Sequence, residues 1–454
     1  MRKATTAVAI FLFAACLLCG CGGKSTGGAR PDTAPVVSAQ EIDDNLRYFL
    51  GVSDQNPSGD IGNRAPTSDS ERAAARRLYE KYADVTAYPH MYATNVDDTT
   101  FEIQSGNVTR TSQNVEVRFR CAASEQSAAA AETAKQVIVA AGYDNPYGSY
   151  NDEYTALTAT GALAATGVAT VMSMIDYCER EADALRASLG FDIVFVFFGC
   201  ANYNARGAEE YLAHTMTALQ KQNTLLMVNL DKLGGDRMYL YADEVSTPHE
   251  KFLRKTANAQ GVQAYALPDN LPIIEGMYRE DMYYTHFAML GSHASFIDRG
   301  IPAAYLFGGY YGGFNLSDLE RKGKANLIGT ERDTYANVCA ERASFGEQGS
   351  DAATLVFAAL QADGFTAAME KSRADAADYS FWVNPLWAYL IVIFIIIALA
   401  VALVIVVKRL EKKYPFTPVV RRMKIAVFGM EYETPEESDV FVDIKKKDNP
   451  FNGY

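Results

Sequence analysis

Ile193-Val194-Phe195-Val196-Phe197-Phe198-Gly199-Cys200-Ala201-Asn202 is the stretch that decides the fold. Its unbroken run of β-branched and aromatic residues stops at a glycine. A half-exposed helix would interrupt such a run with polar residues every third or fourth position, whereas a strand covered on both faces would not. Similar runs occur at Val137-Ile138-Val139-Ala140, at Leu225–Leu230 and at Pro302–Phe307, with helical stretches at Gly167–Leu185 and Gly207–Leu219 between the first three. This alternation predicts an α/β fold, with a mostly parallel central sheet flanked by helices. Val115–Phe119 alternates and predicts a half-buried strand. Glu41, Ile42, Leu46, Phe49 and Leu50 predict a helix starting near Ser38. Ser68, Ser70 and Glu71 open a second helix over Ala73–Tyr82, and Ala352–Leu360 reads as a closing helix.

The two ends of the chain carry different signals. Arg2 and Lys3 precede an apolar stretch from Ala7 to Leu18, then Leu18-Cys19-Gly20-Cys21 and a run of small polar residues. This is the layout of a signal peptide, and Leu-x-Gly-Cys resembles a bacterial lipobox, which implies cleavage before Cys21 and lipidation of its sulfur. A plain secretory signal and an uncleaved anchor are the alternatives. Near the other end, Leu386–Val407 is 22 residues without a charge, about 33 Å of helix and enough to cross a bilayer. Trp382, Trp387 and Tyr389 flank its start, and Lys408, Arg409, Lys412 and Lys413 follow its end. The basic flank places the C-terminal side in the cytoplasm and the main domain outside. The expected organisation is a signal peptide over 1–20, a tether over 21–38, an extracytoplasmic domain over 39–370, a transmembrane helix over 386–407 and a cytoplasmic tail over 408–454. The tail reads as mostly disordered.

Composition excludes some classes. The net charge of −13 over 454 residues argues against a nucleic-acid partner, because phosphates reward clustered Lys and Arg. With 49% hydrophobic and 21% charged residues, the chain as a whole is globular. Cys121, Cys178, Cys200 and Cys339 would sit in an oxidising compartment; three pairings are open, and so is the free, buried state.

In open α/β sheets, function collects past the carboxyl ends of the strands. Those ends read Gly142-Tyr143-Asp144-Asn145, Gly199-Cys200-Ala201-Asn202-Tyr203-Asn204 and Asn229-Leu230-Asp231-Lys232-Leu233-Gly234. Further on stand Gly291-Ser292-His293-Ala294-Ser295-Phe296, Gly300-Ile301-Pro302-Ala303 and Thr330-Glu331-Arg332-Asp333-Thr334. Together with Ser112-Gln113-Asn114-Val115, their order and spacing resemble metallopeptidase family twenty-eight, the co-catalytic zinc aminopeptidases and their glutamate-carboxypeptidase relatives, over roughly Glu41–Leu360.

That resemblance implies two zinc ions held by two His, a bridging Asp, a Glu and a second Asp, with an adjacent Glu as general base. Carried onto this chain, the first His falls on Gly142 and the bridging Asp on Leu163. The base and the neighbouring Glu ligand fall on Ala201 and Asn202, the second Asp on Asp231 and the last His on Gly329. Gly, Leu and Ala have no donor atoms for zinc. The reading is therefore a degenerate member without cofactor: a pseudopeptidase that binds a peptide or protein partner, or serves as a subunit of a membrane complex.

The alternative is an active metallo-exopeptidase with a rebuilt zinc site, drawn from Asp144, Asp231 and His293, with Glu331 as a further candidate. Asp231 could equally persist as a cap or hydrogen-bond acceptor. A misaligned loop would bring in Asp152, Glu153, Glu209 or Glu210. His286 reads as a surface or core histidine. Tyr283-Tyr284 and Phe307–Phe314 read either as an adaptable binding surface or as loop packing.

Overall fold

Alternate residues of the central strands enter two different cores. Val137, Val139 and Ala141 join one apolar cluster with Ile193, Phe195 and Phe197, whereas Ile138, Ala140, Val194, Val196 and Phe198 join a second on the other face. This is the period-2 geometry of a strand read twice, and it explains why no polar residue interrupts the runs.

The computed structural model describes residues 35–57, 59–105, 107–121, 133–145, 161–235, 237–242, 247–266, 291–309, 327, 332–383, 385–414 and 418–428. The strands, in chain order, are β1 (Met91–Ala93), β2 (Thr100–Ser105), β3 (Val108–Gln113), β4 (Val115–Phe119), β5 (Gln136–Gly142), β6 (Asp192–Phe198), β7 (Thr224–Asp231), β8 (Arg237–Tyr241), β9 (Ala264–Ala266) and β10 (Ala303–Gly309). Eight of them form one sheet in the order β1-β4-β6-β5-β7-β10-β8-β9. β6, β5, β7 and β10 run parallel at its centre, while β4 and β8 flank them antiparallel. β2 and β3 make a separate hairpin.

The helices are α1 (Ala39–Leu50), α2 (Asp69–Tyr82), α3 (Thr166–Arg180), α4 (Ala182–Ser188), α5 (Arg206–Glu210), α6 (Ala218–Asn223), α7 (Pro248–Gln260), α8 (Ser292–Ile297), α9 (Tyr335–Glu341), α10 (Phe345–Gln361), α11 (Phe365–Val383), α12 (Pro385–Lys413) and α13 (Pro418–Phe428). On one face of the sheet α1, α3 and α10 pack together; on the other lie α5 and α8, through Ala208 and Phe296. Ser38 caps α1 reciprocally with Glu41, Oγ accepting from Glu41 N at 3.1 Å and Glu41 Oε2 accepting from Ser38 N at 2.7 Å.

Two expectations need correction. β4 is buried throughout rather than half exposed. Its outward Glu116 and Arg118 are withdrawn from solvent because Glu116 accepts from Tyr211 Oη at 2.6 Å and Arg118 donates to Gln136 at 2.9 Å. The stretch Gly207–Leu219 is not one helix: α5 passes into a π-helical turn over Tyr211–Thr215, and α6 starts afresh from a Thr217 cap. Within the tail read as mostly disordered, Pro418–Phe428 is helical. The cysteine alternatives resolve to free thiols, with Cys121, Cys178 and Cys200 buried.

The chain divides into two compact units, Met1–Ala377 and Asp378–Tyr454. The second contains a helix apolar and long enough to cross a membrane, Tyr389–Lys413. The signal region, Cys21, most of the tether and the tail beyond 428 lie outside the described residues.

Candidate functional site

The chain passes from β5 to β6 on one side and then returns to β7 on the other, so the connections diverge at the carboxyl end of β5. Open α/β sheets form a crevice at such a point. Here it has a volume of about 180 Å³, and its walls come from the ends of β5 (Gly142), β6 (Ala201, Asn202, Asn204), β7 (Asn229, Asp231, Lys232), β10 (Tyr305) and the start of α8 (Gly291, Ser292). Four of the chain's five described non-glycine residues with positive φ stand at or beside these walls: Cys200, Asn204, Ala205 and Lys232. Left-handed backbone at such residues costs energy and is held only where the surroundings fix it.

Asp231 is the one carboxylate among the described lining residues. Its Oδ2 accepts from Tyr305 Oη at 2.8 Å and pairs with the ammonium of the adjacent Lys232. Tyr305 lies opposite Asn229 in the β10–β7 register, and His293 stacks on its ring at 4.5 Å with an interplanar angle of 10°. His293 is fully buried and meets Tyr241 edge-on at 5.7 Å. Asn229 is 4% exposed, and its Oδ1 has no hydrogen-bond partner among the described residues.

Beneath the crevice lies a layer of buried charge. Glu71 Oε1 accepts from Ser112 Oγ at 3.0 Å and Cys200 N at 2.8 Å, while Oε2 accepts from Thr67 N at 2.5 Å. Asp144 accepts from the backbone N–H groups of Ala201 at 2.9 Å and Asn202 at 3.0 Å, and Asn202 Nδ2 donates back to Asp144 O at 3.0 Å. Asp333 Oδ1 accepts from Leu163 N at 2.8 Å. Arg64 donates to Tyr143 O at 2.6 Å and Gly161 O at 2.9 Å. Burial pushes the Glu71 and Asp144 carboxyls well above the usual carboxylate range, and for Glu71 the neighbouring Asp144 adds to the rise. Asp333 is raised to about 6 by burial, against its hydrogen bonds and the charge of Arg64. Arg64 falls to about 10, again through burial, opposed by Asp333, Asp144 and Glu71.

Sequence-predicted positions are brought together only in part. Gly142, Ala201, Asn202 and Asp231 share the crevice. Leu163 is 5% exposed, and its described role is the backbone bond to Asp333. Of the residual trio, Asp231 alone lines the wall; Asp144 is bonded to the loop after β6, and His293 belongs to the aromatic stack. Gly329, Glu331, His286, Tyr283-Tyr284 and 310–314 lie outside the described residues. Phe307 stacks on Tyr305 at 4.6 Å and on Tyr239 at 5.5 Å. Asn114, from the Gln-Asn-Val stretch, is buried between Gly199 N and Gly207 O, bonded at 3.2 and 3.0 Å, and so braces the loop after β6.

Arg64 and Glu71 were not singled out as site residues from the sequence. Arg64 falls in a Gly/Pro/Asn loop without periodicity. Glu71 has the spacing of a capping-box partner for Ser68, but its carboxylate turns inward to Thr67, Ser112 and Cys200. The half-buried Glu209 and Glu210 pair with Arg299 and Arg206, away from the described crevice wall.

The described residues do not fit a zinc centre. No group of three His, Cys, Asp or Glu among them is placed to share one ion. A Cβ added at Gly142 would stand 2.6 Å from the Ala201 Cβ, so even the root of a histidine side chain collides there. At Asp231 a metal would meet the Lys232 ammonium already paired with the carboxylate.

This mixed α/β domain, with its eight-stranded sheet flanked by helices, has an aminopeptidase-like fold. Residues 124–347 match the model of peptidase family M28, and this part of the chain belongs to that family. Among solved structures, the chain resembles a zinc aminopeptidase from Bacillus subtilis (12% identity, TM-score 0.48, covering 72% of this chain and 96% of that one). It also resembles Porphyromonas gingivalis glutaminyl cyclase (16% identity, TM-score 0.48, 71% and 99%) and the LapA aminopeptidase of Legionella pneumophila (15% identity, TM-score 0.46, 74% and 72%). No curated protein matches the chain.

Proposed function

We propose that this chain is a pseudopeptidase: an M28 domain, anchored on the extracytoplasmic face of a membrane, that binds a peptide or protein segment at the switch-point crevice without hydrolysing it. The observation that carries this reading is the Asp231–Lys232 pair, in which the one carboxylate among the crevice's described lining residues is already neutralised by a built-in ammonium. A metal ligand must offer its charge to the ion, and a bridging water must be activated by a base; the lining otherwise supplies carboxamides, a hydroxyl, a phenol and glycine. Carboxamides and hydroxyls are suited instead to pairing with the N–H and C=O groups of a peptide. The crevice volume of about 180 Å³ suits the end of a chain rather than a whole drug-sized ligand. Anchoring is read from the apolar helix near the C-terminus and from the lipobox-like Leu18–Cys21.

The test is the metal content of the full-length protein in detergent after equilibration with trace zinc, together with aminopeptidase assays on the same sample. Zinc below about 0.1 per chain with no turnover is expected. One or two zinc ions per chain with peptide hydrolysis would overturn the pseudopeptidase reading in favour of a rebuilt exopeptidase site.

A further inference from the structure

The strip of chain after the apolar segment of α12 carries charge opposite to the rest of the molecule. Seven Lys and Arg lie between Lys408 and Lys424 against one acid, Glu411, in a chain of net charge −13. From Tyr389 onward α12 is exposed along its described length except at Val404, Val407, Leu410 and Glu411. These four share one helical face at the end of the apolar segment, and Val407 is fully covered. Among the described elements α13 packs against α12. Only residues 414–417 separate the two helices, so their facing ends stand no more than about 17 Å apart. The tether and the packing hold α13 level with the point where the apolar segment gives way to basic residues.

α13 has the pattern of a helix lying in an interface. Val419, Met423, Ala426 and Val427 recur at i, i+4, i+7 and i+8 and form an apolar stripe. On that stripe Val419 is 64% exposed and Ala426 is exposed as well, while Ile425, 44% exposed, lies off it. Exposed Arg422 lies off that stripe. A basic amphipathic helix beside a membrane span seats its apolar stripe among acyl chains, while its Lys and Arg meet anionic headgroups.

We infer that α13 is an interfacial helix that binds anionic phospholipid at the foot of α12. This rests on the reading of α12 as a membrane span. The test uses full-length protein reconstituted into phosphatidylcholine vesicles with or without phosphatidylglycerol. A nitroxide is attached at Met423→Cys or at Ile396→Cys, in a background whose accessible native cysteines are serine. At 423 we expect immersion in the anionic vesicles, seen as protection from a water-soluble paramagnetic chelate. Chelate collision should rise several-fold in pure phosphatidylcholine, in high salt, and in the Arg421→Gln/Arg422→Gln/Lys424→Gln variant. A label at 423 that stays water-accessible on anionic vesicles, or is equally immersed on both lipids, overturns the inference while an immersed 396 leaves the span standing. A water-accessible 396 overturns the span and the inference together.

Discussion

Two layers of one site have treated charge in opposite ways. Below the crevice, Arg64, Glu71, Asp144 and Asp333 are all fully buried, and each is held by backbone groups. In the crevice wall above them, the positions where the family resemblance seats ligands carry Gly142, Ala201 and Asn202, and the surviving Asp231 is paired with Lys232. The lower charges are acceptors and donors for buried loop backbone, so losing one would remove hydrogen bonds from buried N–H or C=O groups. On the pseudopeptidase proposal the wall holds no metal, and carboxylates clustered there would repel each other. The comparison teaches that the lower charges are tied to the backbone, whereas on that proposal charge in the wall would serve only a ligand.

The largest effect should come from the lower layer. Arg64→Met removes a buried cation that faces Asp144 and Asp333 together with its bonds to Tyr143 O and Gly161 O, which is expected to cost about 3–5 kcal/mol. Urea unfolding of the variant reads this directly, and a loss under about 1 kcal/mol would break the contrast between the layers.

Next comes pH. Asp333, Glu71 and Asp144 all have folded-state pKa values raised by burial. A carboxyl raised in the folded state binds its proton more tightly there than in the unfolded chain. Its contribution is therefore fully present below the unfolded value and lost as pH rises through the folded one. The domain should lose on the order of 2 kcal/mol between pH 4 and pH 8 from these groups, and Glu71→Gln should flatten the upper part of that fall. A urea midpoint that climbs across the same range would show that the layer is ionised and fully paired instead.

A smaller effect is expected in the wall. Lys232→Met and Asp231→Asn should each cost about 1–2 kcal/mol, with the double variant costing less than the sum. Additive losses would mean that the pair does not act as a unit. The least effect belongs to His293→Phe, which keeps the stack on Tyr305 and removes only the imidazole nitrogens. It should change stability by less than about 1 kcal/mol and leave any peptide affinity, read by calorimetry, unchanged. A tenfold loss of affinity would place His293 in the binding site rather than in the packing.

Much of the fold was legible because the central strands are buried on both faces. Val137–Ala140, Ile193–Phe198 and Leu225–Leu230 announce themselves by composition alone, and their ends mark where the crevice must lie. The edge elements were not legible. β1 and β9 have three residues each, too few for a period, and β4 alternates as if exposed because its Glu116 and Arg118 find partners only after folding. The break between α5 and α6 was hidden because no Gly or Pro marks it and Leu212 and Ala213 continue the helical pattern.

The sequence by itself determined the parallel α/β sheet, the crevice-facing strand ends at Gly142, Ala201, Asn202 and Asp231, and the 22-residue uncharged segment near the C-terminus, because burial and bilayer thickness impose local, periodic demands on side chains. Only the tertiary structure decided that Lys232 and Tyr305 hold Asp231, that His293 is a stacking ring, and that Arg64 and Glu71 lie under the site. Those facts depend on which charges meet across distant strands and loops, and Coulomb and hydrogen-bond energies fall off too steeply with distance for spacing along the chain to reveal them.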